Sequence, residues 1–531
     1  MMKKPTACTL LLMLGVLFGS CSNEPGAMDA PAPVIGSFEL SDNAINGERV
    51  TGVPNGTYDL VFNVMGDQGS YRVYTVDANT GQAMQSCITT PMVANTWTRA
   101  MMPTVEVTDG TIQLAGAPLE ATVGNTAKFS GIRLVQRTDE AEPIITGGDV
   151  SQLTKLENAG GKFYDQNGKE GDCLQILRDA GMNMVRLRLY VEPGATVFID
   201  STDAENWKYY RLPEYYQGEE DIMKLASRAK ALGFDIELTI YYSDYWADAG
   251  IQMIPSSWHA NWKEEGIDSL HMESLLQDSI YSYTTRILKR MEAQGTTPAM
   301  VSIGNETMNG MLYPFGTGNN PLGMARLFST ASKAIRDASP TSQVLIHLNA
   351  GYGSYSWFLN IMKQYALDYD VIGMSYYPFW ALESEYPSVA DITKFAESLY
   401  DQYGKKVLIM ETGFSWNPTT PSGGRGQIFH NGIYDKLYKD TYGVMTKEAQ
   451  KHYMIELTQA INMSKDHCIL GYLYWDPIYM DVPNCGWAER GEKTAEGTFI
   501  WKSDVNVTAN STIFDFSGKA LPVFDAIKYN R

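Results

Sequence analysis

The chain has 531 residues, 44% of them hydrophobic and 19% charged, which excludes a small disulfide-stapled scaffold and a disordered chain and leaves room for more than one folded domain. Its 42 Lys and Arg stand against 61 Asp and Glu, a formal charge of −19 with no basic block, so nucleic acid is not an expected partner. Aromatics reach 11%, with 11 Trp and 32 Tyr, rings that can fill core or present stacking faces.

In chain order, Lys3 and Lys4 precede an apolar run from Thr9 to Phe18, then Gly19, Ser20 and Cys21. This pattern predicts an export signal over residues 1–20 that is too short to span a bilayer. Small residues before a cysteine resemble a bacterial lipobox, with Cys21 as the lipidated mature N-terminus; ordinary cleavage beside an incidental cysteine is the alternative. The expected location is therefore an exported bacterial lipoprotein at the outer membrane and cell surface. Residues 21–33, rich in Pro, Gly and Ala, read as a tether. Removing the signal and Cys21 leaves Cys87, Cys173, Cys468 and Cys485, without zinc spacing. Cys468 and Cys485 could pair across one loop, or all four could be buried thiols.

Over residues 34–140 short alternating runs, Tyr58–Val64, Tyr71–Val76, Thr111–Leu114 and Ala127–Val135, are broken by turns and predict a small β-sandwich. Its closing run Lys128–Val135 resembles the last strand of jelly-roll sugar-binding modules, while a spacer role accounts for it equally well. The acidic stretch Asp139–Pro143 marks the boundary.

From residue 144 to 531 apolar strand-like runs alternate with amphipathic stretches. The runs are Ile144–Asp149, Met184–Tyr190, Asp235–Tyr242, Ala299–Glu306, Val344–Asn349, Val371–Tyr377, Val407–Glu411 and Ile469–Trp475. Helical periods fall at Asp221–Leu232, Leu275–Ala293, Pro321–Ala338, Ala390–Tyr403 and Lys447–Met463. Eight such units predict a (β/α)8 TIM barrel, an α/β fold whose strands are buried on both faces. An open doubly wound sheet is the competitor, but the first strand is followed by no Gly-rich phosphate fingerprint.

Barrel chemistry gathers at the C-terminal strand ends. Two runs end in an acid: Val301 to Asn305 leads into Glu306, and Val407 to Met410 into Glu411. A carboxylate closing an apolar run is costly to bury unless it is paired or used. Two of them across one mouth suit glycoside hydrolysis, where retention needs a separation of about 5 to 5.5 Å and pKa values pushed apart. Asn305 offers an amide to a sugar hydroxyl. Arg186 and Arg188 alternate on the second strand and face one way; Arg188, nearer the strand end, is expected to hold the nucleophile ionised, with a structural ion pair as the alternative. Rings crowd the same ends: Tyr241, Tyr242, Tyr245 and Trp246 beside Asp244, then Tyr376, Tyr377, Phe379 and Trp380, then Tyr474 and Trp475. Such rings grip the C–H faces of sugars or fill core.

These residues resemble the glycoside hydrolase family 53 endo-β-1,4-galactanases of the retaining clan A barrels. The similar runs are Gly147–Ser151 with Phe163–Asp165, Val185–Leu189 as VRLRL, Tyr242–Asp244 with Trp246–Asp248, Gly304–Glu306, Ser375–Trp380 as SYYPFW, Glu411–Gly413, Tyr474–Trp475 and Phe514–Pro522. The resemblance implies Glu306 as acid/base, Glu411 as nucleophile and pectin side-chain β-1,4-galactan as substrate. It implies sugar contacts from Asp149, Arg188, Tyr242, Asp244, Trp246, Asn305, His347, Tyr376, Tyr377 and Trp475, and a monomer with no cofactor. Three positions depart from the pattern: Tyr241 for the usual His, Asn349 for Asp, and Asp476 for Glu. Some bacterial relatives hold calcium after the seventh strand through alternating Asp, His and Asn, which Asn417–Tyr434 lacks, so no metal is expected. Two other readings stay open, a clan A hydrolase of another β-linked glycan and a glycan-binding lipoprotein without turnover.

Overall fold

The computed structural model describes residues 36–66, 69–90, 94–119, 127–137, 143–198, 209–260, 262, 266–378, 386, 388–422 and 445–529. The export signal, Cys21, the tether, most of the acidic boundary stretch, Phe379, Trp380 and most of the Asn417–Tyr434 loop lie outside the described residues.

Eight parallel strands close a barrel: β1 (Ile145–Asp149), β2 (Met184–Leu189), β3 (Asp235–Ile240), β4 (Met300–Ile303), β5 (Gln343–Leu348), β6 (Val371–Ser375), β7 (Lys406–Thr412) and β8 (Ile469–Tyr474), with β8 returning to β1. Each is followed by a helix: α1 (Cys173–Ala180), α2 (Glu219–Ala231), α3 (Ser269–Ala293), α4 (Pro321–Ala338), α5 (Tyr355–Gln364), α6 (Val389–Tyr403), α7 (Lys447–Asn462) and α8 (Phe524–Lys528). Five of these helices start where a short polar side chain caps them. Asp172, Asp268, Asn320, Ser388 and Thr446 each accept from a backbone N–H of the first turn, satisfying a donor with no partner inside the helix.

Two apolar layers hold the barrel. Between strands and helices lies a continuous core that includes Leu187, Ile240, Ile303, Leu348, Ile372 and Ile409. Inside the barrel, Met184, Met300, Leu345, Val371, Leu408, Met410 and Leu473 plug the bottom. Strands there approach so closely that Gly471, at φ +147, would place a Cβ 2.0 Å from the Ile145 carbonyl oxygen, which only glycine avoids. Above the plug the inward residues turn polar, with Arg186, Glu237, Thr239, Ser302 and His347 all buried. A barrel fills with side chains in layers, and here the upper layers carry charge.

The amino-terminal region forms two antiparallel four-stranded sheets. One has the order Ser37–Glu39, Lys128–Gln136, Gly56–Met65, Thr98–Val107; the other Asn46–Thr51, Thr111–Pro118, Tyr71–Val76, Ala83–Thr89. Leu60, Phe62, Val64, Val73, Leu114 and Leu134 fill the space between them. The sheets rest on α7: Gln459 accepts from the Met101 backbone N–H at 2.8 Å and donates to the Ile88 carbonyl at 3.0 Å, and His467 Nε2 lies 3.3 Å from Asp59. Cys87, Cys173, Cys468 and Cys485 are buried free thiols, so the possible Cys468–Cys485 bridge is not formed.

A feature with no counterpart in the sequence reading joins the loops after β2 and β8. Val197–Phe198, Tyr209–Arg211, Glu489–Lys493 and Phe499–Ser503 make an antiparallel four-stranded sheet.

Candidate active site

The two acids reach the mouth by different local devices. After β4 the chain takes left-handed backbone at Gly304 (φ +71) and at Glu306 (φ +49), ending the strand at Ile303 and curling the Glu306 side chain over the barrel. A non-glycine residue held there costs of order 1–3 kcal/mol and concentrates at functional sites. On β7 the pairing with β6 shifts register between Met374 and Ser375, which sets Ser375 opposite Glu411. One carboxylate oxygen of Glu306 and one of Glu411 lie within 4.8 Å of each other. That spacing matches retaining hydrolysis at about 5–5.5 Å and is too short for the 6.5–9.5 Å that leaves room for an inverting water.

Their surroundings differ in sign. Arg186 Nη1 donates to Glu411 Oε1 at 2.6 Å and the Tyr377 hydroxyl donates to Oε2 at 2.9 Å. Burial raises the Glu411 pKa, while the charge and hydrogen bonds of Arg186 and Tyr377 oppose the rise. Tyr377 is itself pushed well up by burial and by both acids and so stays a donor. Glu306 has no such cation beside it. Burial first, then the charge of Glu411, pushes its carboxyl up to about 8, so it holds its proton at neutral pH. One ionised and one protonated carboxyl at short range is the division of labour that acid and nucleophile require.

Arg186, not Arg188, is the partner of Glu411, which corrects the expectation from strand position. Barrel strands tilt and stagger, so the arginine that meets Glu411 comes from one layer deeper on β2, its Nη2 also donating to Asn305 Oδ1 at 2.6 Å. Arg188 is taken up elsewhere, 2.8 Å from Asp476 and 3.3 Å from Asp149, with its guanidinium 4.5 Å from the ring centre of Trp475 and 4.4 Å from that of Trp487. Asp476, pushed up to about 6 by burial against the pull of Arg188, also accepts from Trp487 Nε1 at 3.2 Å. Beneath Arg186, Glu237 is buried and pushed up to about 8, chiefly by desolvation, a neutral acid that accepts from Thr239 at 2.8 Å.

Tyr242 does not line the cleft. It is 1% exposed, at φ +50, and its hydroxyl is 2.7 Å from Thr284 on α3; consecutive strand-end residues face opposite sides of the sheet, and this one faces the helices. Tyr376 is fully buried within the same core, so neither is a sugar platform. Tyr241, where the pattern has His, is buried with its ring 4.4 Å from that of Tyr190. Asp244 is buried and accepts from the Ser256 N–H at 2.7 Å, pinning the loop after β3. Trp246, anchored to Asp248 by a 2.7 Å hydrogen bond, meets Trp475 and Trp487 edge-on at 5.9 and 4.7 Å. Those three indoles, from the loops after β3 and β8, wall one side of the mouth. Trp487 was not legible because it sits twelve positions past Trp475 in a turn-rich segment with no strand or helix signal of its own.

Asn305 is held by its side-chain N–H donating to the Ala247 carbonyl at 2.9 Å and by Gln252 donating to its backbone oxygen at 2.8 Å. His347 lies between Asn305 and Ser375, 3.0 Å from each, and Ser375 Oγ is 2.6 Å from Glu306 Oε1. Glu306, His347 and Glu411 are close enough together to bind a cation. Both ring nitrogens of His347 are engaged by Asn305 and Ser375, however, so the trio lacks the free imidazole lone pair a metal needs.

Among known proteins, the family described as Glycosyl hydrolase family 53 matches residues 145–527. The endo-beta-1,4-galactanase of Bacillus subtilis is 29% identical over 409 residues, 73% of this chain and 86% of that protein. The arabinogalactan endo-beta-1,4-galactanase of Cellvibrio japonicus is 28% identical over 349 residues, 64% of this chain and 82% of that one. The solved structure of the Ignisphaera aggregans GH53 catalytic domain superposes with a TM-score of 0.61 at 27% identity, covering 74% of this chain and 98% of the domain.

Proposed function

The chain belongs to glycosyl hydrolase family 53, and from that premise we propose that it cleaves internal β-1,4-galactosidic bonds of galactan and arabinogalactan by double displacement. The observation that carries the assignment of roles is the pair of carboxyls within 4.8 Å, one clamped by Arg186 and Tyr377 and the other without a cation in hydrogen-bond contact, so that burial and the charge of Glu411 raise its pKa.

In the first step the Glu411 carboxylate attacks the anomeric carbon, the glycosidic C–O bond breaks, and Glu306 gives its proton to the departing oxygen. In the second, Glu306, now ionised, takes a proton from water as that water attacks the anomeric carbon and the ester bond to Glu411 breaks. Arg186 and Tyr377 serve both steps, stabilising Glu411 when it is charged and orienting the acyl oxygen when it is esterified. Trp246 and Trp487, the half-buried indoles of that wall, supply apolar surface for the C–H side of a galactose chain, while Trp475 is buried behind them under the Arg188 guanidinium.

The substrate assignment is tested by reducing-sugar release from galactan, mannan and xylan under one set of conditions. Release from galactan at least tenfold faster than from the other two is expected; faster release from mannan or xylan identifies another β-linked glycan, and none from any polymer supports a glycan-binding protein without turnover.

We also propose that the protein is an exported lipoprotein held at the cell surface through Cys21, the sandwich acting as a stand for the barrel. Support comes from the Lys3–Cys21 pattern and from the seating of the sheets on α7. Cys21→Ala should shift the protein from the membrane fraction to the soluble exported fraction and end incorporation of labelled palmitate; unchanged membrane recovery would refute the anchor.

A further inference from the structure

A chain of five polar side chains runs from the polar layer above the apolar plug up to and including the acid. Arg186 Nη2 is 2.6 Å from Asn305 Oδ1, which is 3.0 Å from His347 Nδ1; His347 Nε2 is 3.0 Å from Ser375 Oγ, and Ser375 Oγ is 2.6 Å from Glu306 Oε1. Each link must contain one hydrogen, and the chemistry of the groups allows them to be placed in order. Arginine only donates, and the Asn305 amide nitrogen is spent on the Ala247 carbonyl, so its oxygen faces both Arg186 and His347. His347 Nδ1 therefore carries a hydrogen. The ring is fully buried near Arg186, and both effects hold its pKa well below the ordinary value, so the imidazole is neutral and Nε2 is a bare acceptor. Ser375 owns a single hydrogen, and Nε2 claims it. The last short contact can then be a hydrogen bond only if Glu306 is the donor.

We propose that His347, acting through Ser375, is a positioning residue that keeps the transferable proton on Glu306, because the direction of the Arg186–Asn305–His347–Ser375 chain leaves the serine oxygen only as an acceptor toward the acid. When Glu306 ionises, the serine hydroxyl turns to it and Nε2 is left facing an oxygen lone pair in a buried site, a state penalised by the loss of one hydrogen bond. The serine hydroxyl is thus the moving part, with one orientation for each protonation state of Glu306. Its backbone is fixed for this task, the Tyr352 hydroxyl donating to the Ser375 carbonyl at 2.8 Å. The other charged and titratable groups acting on Glu306 are Glu411 on β7, Asp248 after β3 and Arg186 on β2, with Tyr355 and Tyr377 sensing its charge. The ring of His347 hydrogen-bonds to Asn305 and Ser375 and its carbonyl oxygen accepts from Thr307, none of which is among these groups.

The inference rests on Glu306 being the acid/base, and it fails separately from that assignment. His347→Asn keeps a donor toward Asn305 and removes the Nε2 acceptor, freeing Ser375 to donate to ionised Glu306. The high-pH limb of kcat/KM on galactan should move to lower pH by one unit or more, which reads as a tenfold loss of rate at high pH relative to pH 5 for each unit moved. A uniform fall in kcat with the limb unmoved would make His347 merely structural, while leaving the role of Glu306 intact. Neutron diffraction from the unmodified, deuterium-exchanged protein gives a reading independent of whether the variant folds. A deuteron on His347 Nδ1, none on Nε2 and one on Glu306 is expected; a deuteron on Nε2 overturns the inference.

Discussion

Glu411→Gln loses turnover on galactan by on the order of 10^5-fold, the scale seen when a covalent nucleophile is removed from an otherwise intact site. The amide keeps the shape of the carboxyl and the hydrogen bond from Tyr377, but its oxygen cannot form a stable bond to the anomeric carbon. Activity disappears equally on polymeric galactan and on aryl galactosides, since the leaving group does not help an attack that no longer occurs. The fold survives because Arg186, which loses its 2.6 Å partner, still has Asp149 at 3.7 Å and Asn305 at 2.6 Å. Breaking a buried ion pair outright would cost about 3–5 kcal/mol, and these remaining contacts keep the loss below that. The check is a galactan assay alongside a thermal melt; a variant with more than about one hundredth of the normal rate would remove Glu411 from the role of nucleophile.

Glu306→Ala separates the two steps in which the acid acts. On galactan, whose leaving group is a sugar alkoxide that must be protonated, the loss is about 10^2 to 10^4-fold. An aryl galactoside with an acidic phenol departs without help, so its first step survives and the galactosyl-enzyme accumulates as a burst of phenol. Azide then attacks that intermediate without needing a general base and restores turnover as β-galactosyl azide. Equal losses on both kinds of substrate, with no burst and no rescue, would contradict the acid/base role.

The eight strands of the barrel were legible because parallel strands buried on both faces are predominantly apolar, as in the cores Val371–Met374 and Val407–Met410. The two acids were legible for a related reason, since a carboxylate at the end of such a run demands an explanation. Three kinds of residue escaped. Arg186 and Arg188 share a face of β2, and choosing between them needs the stagger of strands around the barrel, which exists only once the barrel has closed. Tyr242 is a cleft ring only by resemblance; just past the end of β3, at φ +50, it faces α3, where its hydroxyl meets Thr284. Ser375 enters the sequence reading only as the first residue of the SYYPFW run; its importance comes from lying between His347 and Glu306, which are far from it in sequence. Exposed strands were also hard to see. Asn46–Thr51 has no buried position and carries no apolar alternation, and the sheet linking residues 197–211 with 489–503 is a pairing of distant loops that local periodicity cannot reveal.

The most direct test of the site is covalent trapping. A 2-deoxy-2-fluoro galactobiosyl fluoride slows both steps and, with its good leaving group, stalls the enzyme after the first. Mass spectrometry of the intact protein followed by peptide mapping should find one adduct, an ester on Glu411, which releases on adding galactan oligomers as acceptors. An adduct on Glu306 or on any other side chain, or hydrolysis of the reagent with no adduct at all, would contradict the arrangement in which Glu411 attacks and Glu306 supplies the proton.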